Sequence, residues 1–490
     1  IRLRLPVADQ ASLDGLLALR VRGGNGQLVP LSELVQVRST WWDGAIHHKD
    51  LLPVVYVTAD EAGEKIAQEY GVRFVKHALT RGNYKTVLDP IVGRGDFLLN
   101  LSVDVSSIAL IKFCWEKGSL YLDTCIDPWA YRDGELASGD NTNYRMRQAV
   151  IECQTAQRRS GVPLPTAVVA HGANPGMVSI FAKEALLRMA RRWRPQPVAP
   201  VGRIEWAQLA QALGVRVIQV SERDTQSGAM PRAPGEFVNT WSVDGFIAEA
   251  LQPVEMGWGS HETQGPWHAS VCQHDIGDRC GVYAPQLGVH TRVKTRTPAA
   301  GEVTGWLISH NEAFSMASWL TLRDGDRVVY RPTVYYAYHP CDEAADSLAL
   351  LEAGHRADVQ AARVLKDEIV DGMDELGVLL LSDRYPALWF GSQLSIGRAR
   401  ALAPHNNATS LQVVGGVMGA IEWLLLHPMA GIVESEDLDH ELLMRHAAPY
   451  WEPLVEAVFA WHPAGDAEAV SQAAERRWCL DQFIVSKALS

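Results

Sequence analysis

The chain has 490 residues, 47% apolar and 21% charged, which suits two or three domains with real cores and excludes a disordered, collagenous or disulfide-scaffold protein. Its 45 basic and 57 acidic residues give a net charge of −12, which argues against nucleic acid and anionic membranes and favours cationic ligands. Seven scattered cysteines and no signal-peptide pattern point to a reducing cytoplasm. The longest apolar run, Val413 to Leu426, is short and carries Glu422, so no membrane span is expected. The chain starts at Ile1 without a methionine, from which a missing natural start is expected.

In chain order, residues 1 to about 60 read as short strands and turns, with Gly23, Gly24, Asn25 and Gly26 as a hairpin turn. From there to about residue 175 strands and helices alternate. Strands are expected at Pro53–Thr58, Val72–Val75, Asp96–Val103, Ser119–Thr124 and Thr166–Ala170, with helices at Ala62–Tyr70, Ser106–Gly118 and Asn143–Arg159. Such alternation predicts a parallel sheet covered on both faces. An amphipathic helix follows at Gly176–Trp193, then a Pro-rich linker over 194–200. About 180 residues rich in Trp, Tyr, His and carboxylates come next, with strands at Val328–Tyr330 and Thr333–Tyr338, and the last hundred residues read as mainly helical.

A parallel sheet of this kind predicts a nucleotide site at the carboxyl ends of its strands, with a G-x-G-x-x-G loop opening the first helix. That loop is missing. Gly23, Gly24 and Gly26 precede Leu28–Val29–Pro30, and Gly93 and Gly95 precede a strand, so both clusters read as turns. The run Val54–Asp60 resembles a second nucleotide-fold strand whose closing acid, Asp60, suits a ribose hydroxyl as well as an ordinary strand-end turn.

From about Glu64 onward, long ordered segments carry a specific resemblance. They include NLSVD at 100–104, SLYLDT at 119–124, GANPGMVS at 172–179, ERDTQ at 222–226, FVNTWSVDGF at 237–246, RPTVYYAYHPC at 331–341 and EIVDGMDELGVLL at 368–380. The sequence over roughly 425 residues resembles the bacterial homospermidine synthases, relatives of the saccharopine dehydrogenases. Residues 1–60 instead resemble a fragment of a resistance-nodulation-division efflux transporter, joined near Asp60–Gly63. The resemblance implies an α/β architecture: an NAD-binding Rossmann-like domain over 61–180, with its first strand and glycine loop replaced, and an α+β substrate and dimerisation domain over 181–490. It also implies NAD as a prosthetic group, putrescine as substrate, a homodimer, and no metal.

The implied reaction joins two putrescines with loss of ammonia through an imine and a Schiff base. Such a site holds cationic amines, deprotonates one of them and keeps water from the imine. Trp241, near Asp244 and Glu249, offers an indole face for an alkyl diamine or iminium, although a core tryptophan capped by surface acids is the plain alternative. Glu222 is expected to hold a terminal ammonium, against an ion pair with Arg223. His310 and Glu312 lie two apart, on one face if their segment is a strand, and are assigned proton transfer and amine binding. Asp104 is a further substrate ligand. Asp127 stands where the family pattern usually has Glu, one methylene longer. Of Asp371, Asp374 and Glu375 one is expected to line the amine channel, with Asp374 chosen.

On the cofactor side the resemblance assigns Asn100, Leu101, Ser102, Asp123, Thr124, Ala173, Asn174 and Pro175 at strand ends, with Asp60. Asn174 faces both ligands, or caps the helix that follows. His261, His268, Cys272, His274 and Cys280 cluster, but their spacing does not fit a paired zinc-ligand pattern. The competing readings are a saccharopine- or carboxyspermidine-type dehydrogenase, which calls for an Arg clamp with Arg223 as candidate, and a catalytically silent hybrid lacking the phosphate loop.

Overall fold

The computed structural model describes residues 20–22, 28–30, 71–129, 142–194, 200–262, 271–354, 359–464 and 476–485. Two compact units divide at Leu52 and Pro53. In the first, Arg20–Arg22 pairs antiparallel with Leu28–Pro30 on either side of the expected glycine turn. The expected strand Pro53–Thr58, helix Ala62–Tyr70 and Asp60 lie outside the described residues.

In the second unit, four short parallel strands form one sheet in the order Ile432–Val433, Ala167–Val168, Leu120–Asp123, Phe97–Asn100. Parallel neighbours need long crossovers, supplied in part by the helices Ser107–Lys117 and Asn143–Ser160. Ser106 caps the first through Ala109 N–H and Gly118, at φ 72°, ends it. Thr142 and Gly161 do the same for the second. Two of the strands are shorter than expected, for a local reason. Asn100 Oδ1 accepts from Ser102 N–H and Oγ, which turns the backbone out of the ladder. Ala170 is left-handed at φ 51°, which stops the strand at Val168.

The larger sheet has ten strands. Along its main path lie Cys272–Gln273, Gly281–Leu287, Pro253–Gly257, Thr333–His339, Val215–Asp224, Met373–Ser382, Ala387–Ser395 and Leu454–Phe459. Its centre is the parallel pair Thr333–His339 and Val215–Asp224, and Met373–Ser382 flanks the latter antiparallel. These strands are buried on both faces, and the helix Met177–Trp193 packs its buried residues against Met373–Ser382 and Ala387–Ser395. The last hundred residues are mainly helical, as expected, with helices at Ile396–Leu402, Ala408–Leu426 and His440–Trp451, but they also supply strands: Leu454–Phe459 extends the large sheet and Ile432–Val433 the small one. Val455 and Val458, β-branched and half-buried, suit this edge position.

The helix Ala408–Leu426 begins five residues before the expected apolar run and is long and apolar enough to cross a membrane. It is packed in the core instead. A Cβ on Gly415 would meet Trp451 at 2.8 Å, and one on Gly416 would meet the Gly172 carbonyl at 2.1 Å. Its glycine face is therefore pressed against the loop that carries Ala173 and Asn174.

Candidate active site

Side chains alternate across a strand, so the central strands of the large sheet carry two different faces. One face brings together Glu222, Asp224, Asp374, Tyr336 and Tyr338. Asp374 sits opposite Asp224, and Tyr338 is level with Glu222 on the other side. All five are buried. Tyr336 Oη donates to Glu222 Oε2 at 2.6 Å, and Glu222 and Asp374 are within hydrogen-bond reach of each other. Burial pushes the pKa of Glu222 and Asp374 above the carboxylate range; the Asp224 charge adds to both and the Glu222 charge adds to Asp374, while the hydrogen bonds of Tyr336 and Asp374 pull Glu222 back down. Among the described residues no Lys or Arg side chain pairs with any of the three acids.

Arg223 points to the opposite face. It donates to the Pro340 carbonyl at 2.7 Å, to the Asp224 carbonyl, and to Asp342 Oδ1 at 2.9 Å. It is neither the partner of Glu222 nor a clamp for a substrate carboxylate. Glu375 also points away and accepts from Thr297 Oγ1, Gln393 Nε2 and the Ala299 and Ala300 N–H groups. Asp371 is exposed and accepts from Gly372 N–H. Of the three clustered acids, only Asp374 reaches the Glu222 face.

His310 and Glu312 do come together, though not as strand neighbours. His310 is the N-cap residue of the helix Asn311–Trp319, with φ −138° and ψ 150°, and Glu312 stands in its first turn. The cap geometry turns the ring back, so that Nδ1 lies 3.2 Å from Glu312 Oε1 and Nε2 lies 3.0 Å from Glu249 Oε2. Burial opposes a charge on His310, but the two carboxylates more than offset it and hold its pKa well above the usual imidazole range. The ring also lies 4.6 Å from that of Tyr336.

Trp241 precedes the helix Val243–Ala250, which Ser242 caps through Gly245 N–H. Its Nε1 donates to Tyr338 Oη at 3.3 Å and its ring leans on Phe246 at 5.3 Å. The indole is therefore partly exposed at the rim of the acid face. Asp244 is exposed in the first turn of the same helix, about 140° around it from Glu249. The structure does not bring it to this group.

Across the site lie the carboxyl ends of the small parallel sheet. Asp123 is fully buried, accepts from Tyr121 Oη at 2.7 Å and Ala170 N–H at 2.7 Å, and is pushed up to about 7 by burial. Asn100 Nδ2 donates to Tyr121 Oη at 3.2 Å. Leu101 is 48% exposed and, with Asn100 and Ser102, edges a small cleft that Leu79, Val87 and Leu99 also line. Thr124 packs its methyl on Gly172.

Asn174 is not a helix cap. The helix starts at Met177 with Gly176 as its cap residue at φ 129°, and a Cβ there would strike Gly172 N at 2.4 Å. This close turn leaves the Asn174 amide to donate to Glu222 Oε2 at 3.5 Å, bridging the two sheets. Asp104, left-handed at φ 61°, is exposed and donates its N–H to Asp127 Oδ2 at 3.1 Å. Burial lifts Asp127 to about 6, with the charges of Asp104 and nearby Glu249 adding to it.

Sequence reading passed over Asp224, Tyr336 and Tyr338 although it quoted the segments that hold them. The available signal was their spacing, two residues apart in each case, from Glu222 and from one another.

The chain matches the model of the saccharopine dehydrogenase NADP binding domain over residues 40–164, and of the saccharopine dehydrogenase C-terminal domain over 172–459. The first match begins ahead of the join expected near Asp60, and none of the relatives named here supports a transporter origin for residues 1–60. The chain is 45% identical to a homospermidine synthase of Blastochloris viridis, over 84% of this chain and 86% of the relative. With a homospermidine synthase of Mesorhizobium japonicum it shares 40% identity over 82% and 84%. The crystal structure of a Legionella pneumophila homospermidine synthase in complex with NAD superposes with a TM-score of 0.81 at 38% identity, covering 89% of this chain and 93% of that one. An α/β enzyme with this extent of identity belongs to the homospermidine synthase family.

Proposed function

We propose that the chain joins two putrescines into homospermidine and releases ammonia, using NAD as a prosthetic group and acting as a homodimer in a reducing cytoplasm. The observation that carries the reading is the buried group Glu222, Asp224 and Asp374, walled by Trp241, Tyr336 and Tyr338 with no Lys or Arg side chain paired to it among the described residues. Such a group suits a diamine end, which brings its own positive charge. Seven cysteines scattered along the chain fit a reducing compartment.

The residues fit the cofactor. Asn100, Leu101, Ser102, Asp123, Thr124, Ala173, Asn174 and Pro175 stand at or just beyond the carboxyl ends of parallel strands, where a nicotinamide nucleotide lies in this architecture, and the first three edge a small apolar-walled cleft. Asp60 belongs to the same set but lies outside the described residues. Bound there, NAD supplies acceptance of a hydride from an amine carbon and its later return.

The chain's own side chains do the rest. Glu222 and Asp374 hold the far ammonium and so fix the length of chain between it and the reacting carbon. Trp241 lays its face along the chain, where cation–π attraction contributes about 0.5–2 kcal/mol. His310, held between Glu249 and Glu312, exchanges a proton with the reacting amine. Asn174, bonded to Glu222 from the cofactor side, keeps the two ligands in register. Asp104 and Asp127 line the outer approach. The domain division follows the same logic: 61–180 hold the cofactor, 181–490 the substrate and the dimer contact. Residues 1–39, which lie ahead of the matched NADP binding domain, take no part, so a chain lacking them keeps its NAD affinity.

The test is incubation of the purified chain with putrescine and NAD. Homospermidine and ammonia in equal amounts without accumulating NADH support the reading. NADH accumulation without homospermidine indicates a dehydrogenase, and putrescine binding without product indicates a silent hybrid.

A further inference from the structure

Behind Glu222 and Asp374 lies a second row of buried polar groups that the reading above does not use. Asp224 Oδ1 accepts from Gln226 N–H at 2.8 Å and from Gln226 Nε2 at 3.1 Å, and its Oδ2 accepts from Thr240 Oγ1 at 2.7 Å. Thr409, the second residue of the helix Ala408–Leu426, puts its Oγ1 2.8 Å from Asp374 Oδ2 and 3.0 Å from Gln226 Nε2. A threonine hydroxyl has one proton to give. Gln226 donates to Thr409 and the Thr240 proton is committed to Asp224, so the Thr409 proton goes to Asp374. One oxygen of Asp374 is thereby pinned. The other, Oδ1, is buried and has no fixed donor among the described residues. Glu222 lies within hydrogen-bond reach of Asp374, and a bond between two carboxyl groups requires that one of them carry a proton.

We propose that Asp224 and Thr409 are positioning residues acting through Asp374: Asp224 keeps one proton on the Glu222–Asp374 pair and Thr409 aims the pair at an incoming ammonium. The inference rests on the reading that this pair holds a substrate ammonium. An ammonium entering the pair displaces the shared proton to solvent, so the buried charge stays balanced and no other group changes state. Asp224 and Thr409 pull in opposite directions. The Asp224 charge favours the protonated pair, and the Thr409 hydroxyl favours the ionised Asp374. The other groups facing the pair are Tyr336 and Tyr338 from one neighbouring strand, His310 from the helix start, Asn174 from the cofactor side and Cys341 beyond Asp224. Arg223 flanks from the opposite face.

The experiment is an infrared titration of the buried carboxyl band in ligand-free protein, with Glu222→Gln to identify the band of the pair. Asp224→Asn moves its midpoint down by about one pH unit and Thr409→Val moves it up, with Thr409→Ser restoring the wild-type value. The acid limb of kcat/KM for putrescine moves in the same two directions, and Thr409→Val raises KM about tenfold with kcat little changed. Unmoved midpoints, or shifts of the same sign in both variants, overturn the inference. If Asp224→Asn does not fold, the Val and Ser variants of Thr409 carry the test alone. Absence of putrescine turnover in the wild type sinks the proposed function but leaves the infrared result to decide this one.

Discussion

The two faces of the large sheet are built from the same three strands, yet they are finished differently. On the back face Gln219 bonds Tyr335 Oη and the Lys294 carbonyl, Ser221 bonds the Arg296 carbonyl, and Glu375 accepts four hydrogen bonds. The side chains of Gln219, Ser221 and Glu375 there have fixed protein partners. On the front face Asp374 Oδ1 and Glu312 Oε2 are buried without one, and among the described residues no Lys or Arg side chain pairs with Glu222, Asp224 or Asp374. A buried polar group costs stability unless it is paired, so an unfinished buried face marks a place where a ligand completes the set. The neighbours Asp374 and Glu375, one residue apart, fall on either side of that division.

Substitutions of like chemistry on the two faces can break this comparison. The largest effect is expected for Glu222→Gln, which removes the front-face charge. Turnover falls about a thousandfold, while thermal unfolding at neutral pH shows no loss of stability. A variant that is inactive because it unfolds would contradict the division. Glu375→Ala makes the opposite trade. It leaves Thr297, Gln393 and two backbone N–H groups without their acceptor, for a loss of about 2 kcal/mol in urea unfolding, and kcat/KM stays within a few-fold of wild type.

At the rim, Trp241→Ala raises KM for putrescine about tenfold, whereas Trp241→Phe, which keeps an aromatic face, loses only part of that. Equal losses in the two variants would point to packing on Phe246 as the role of the indole. The smallest effect is on pH dependence. The folded pKa of His310 is raised, so its contribution to stability is complete below about 6.5 and is lost as pH rises through the folded value. The buried acids Glu222 and Asp374, also raised, act in the same direction. Unfolding free energy therefore declines from neutral to alkaline pH, and His310→Gln flattens the decline. A wild-type stability curve that rises over that range would contradict the assignment.

Much of the cofactor-side sheet was legible locally. The helix Ser107–Lys117 is bounded by Ser106 and Gly118, and its strands are apolar runs between such punctuation. Glu222, Asp374, Trp241 and His310 were named from the family resemblance and are found together. Two local readings failed because tertiary contacts outweighed propensity. His310 and Glu312 share a site because a helix starts at Asn311, where Glu249 from another helix meets the ring. Asn174 is free to bridge because the close approach of Gly172 and Gly176 delays the helix to Met177.

The sequence by itself determined the class of the fold, the family and most of the charged residues available for chemistry, since periodicity, caps and motif order are local properties. Only the tertiary structure decided which acids face the amine. Asp224 and Thr409 lie 185 residues apart, and strand register sets Asp374 opposite Asp224 with Glu375 turned away. Whether a buried carboxyl is satisfied depends on donors brought from such distances, and no local pattern in the chain records them.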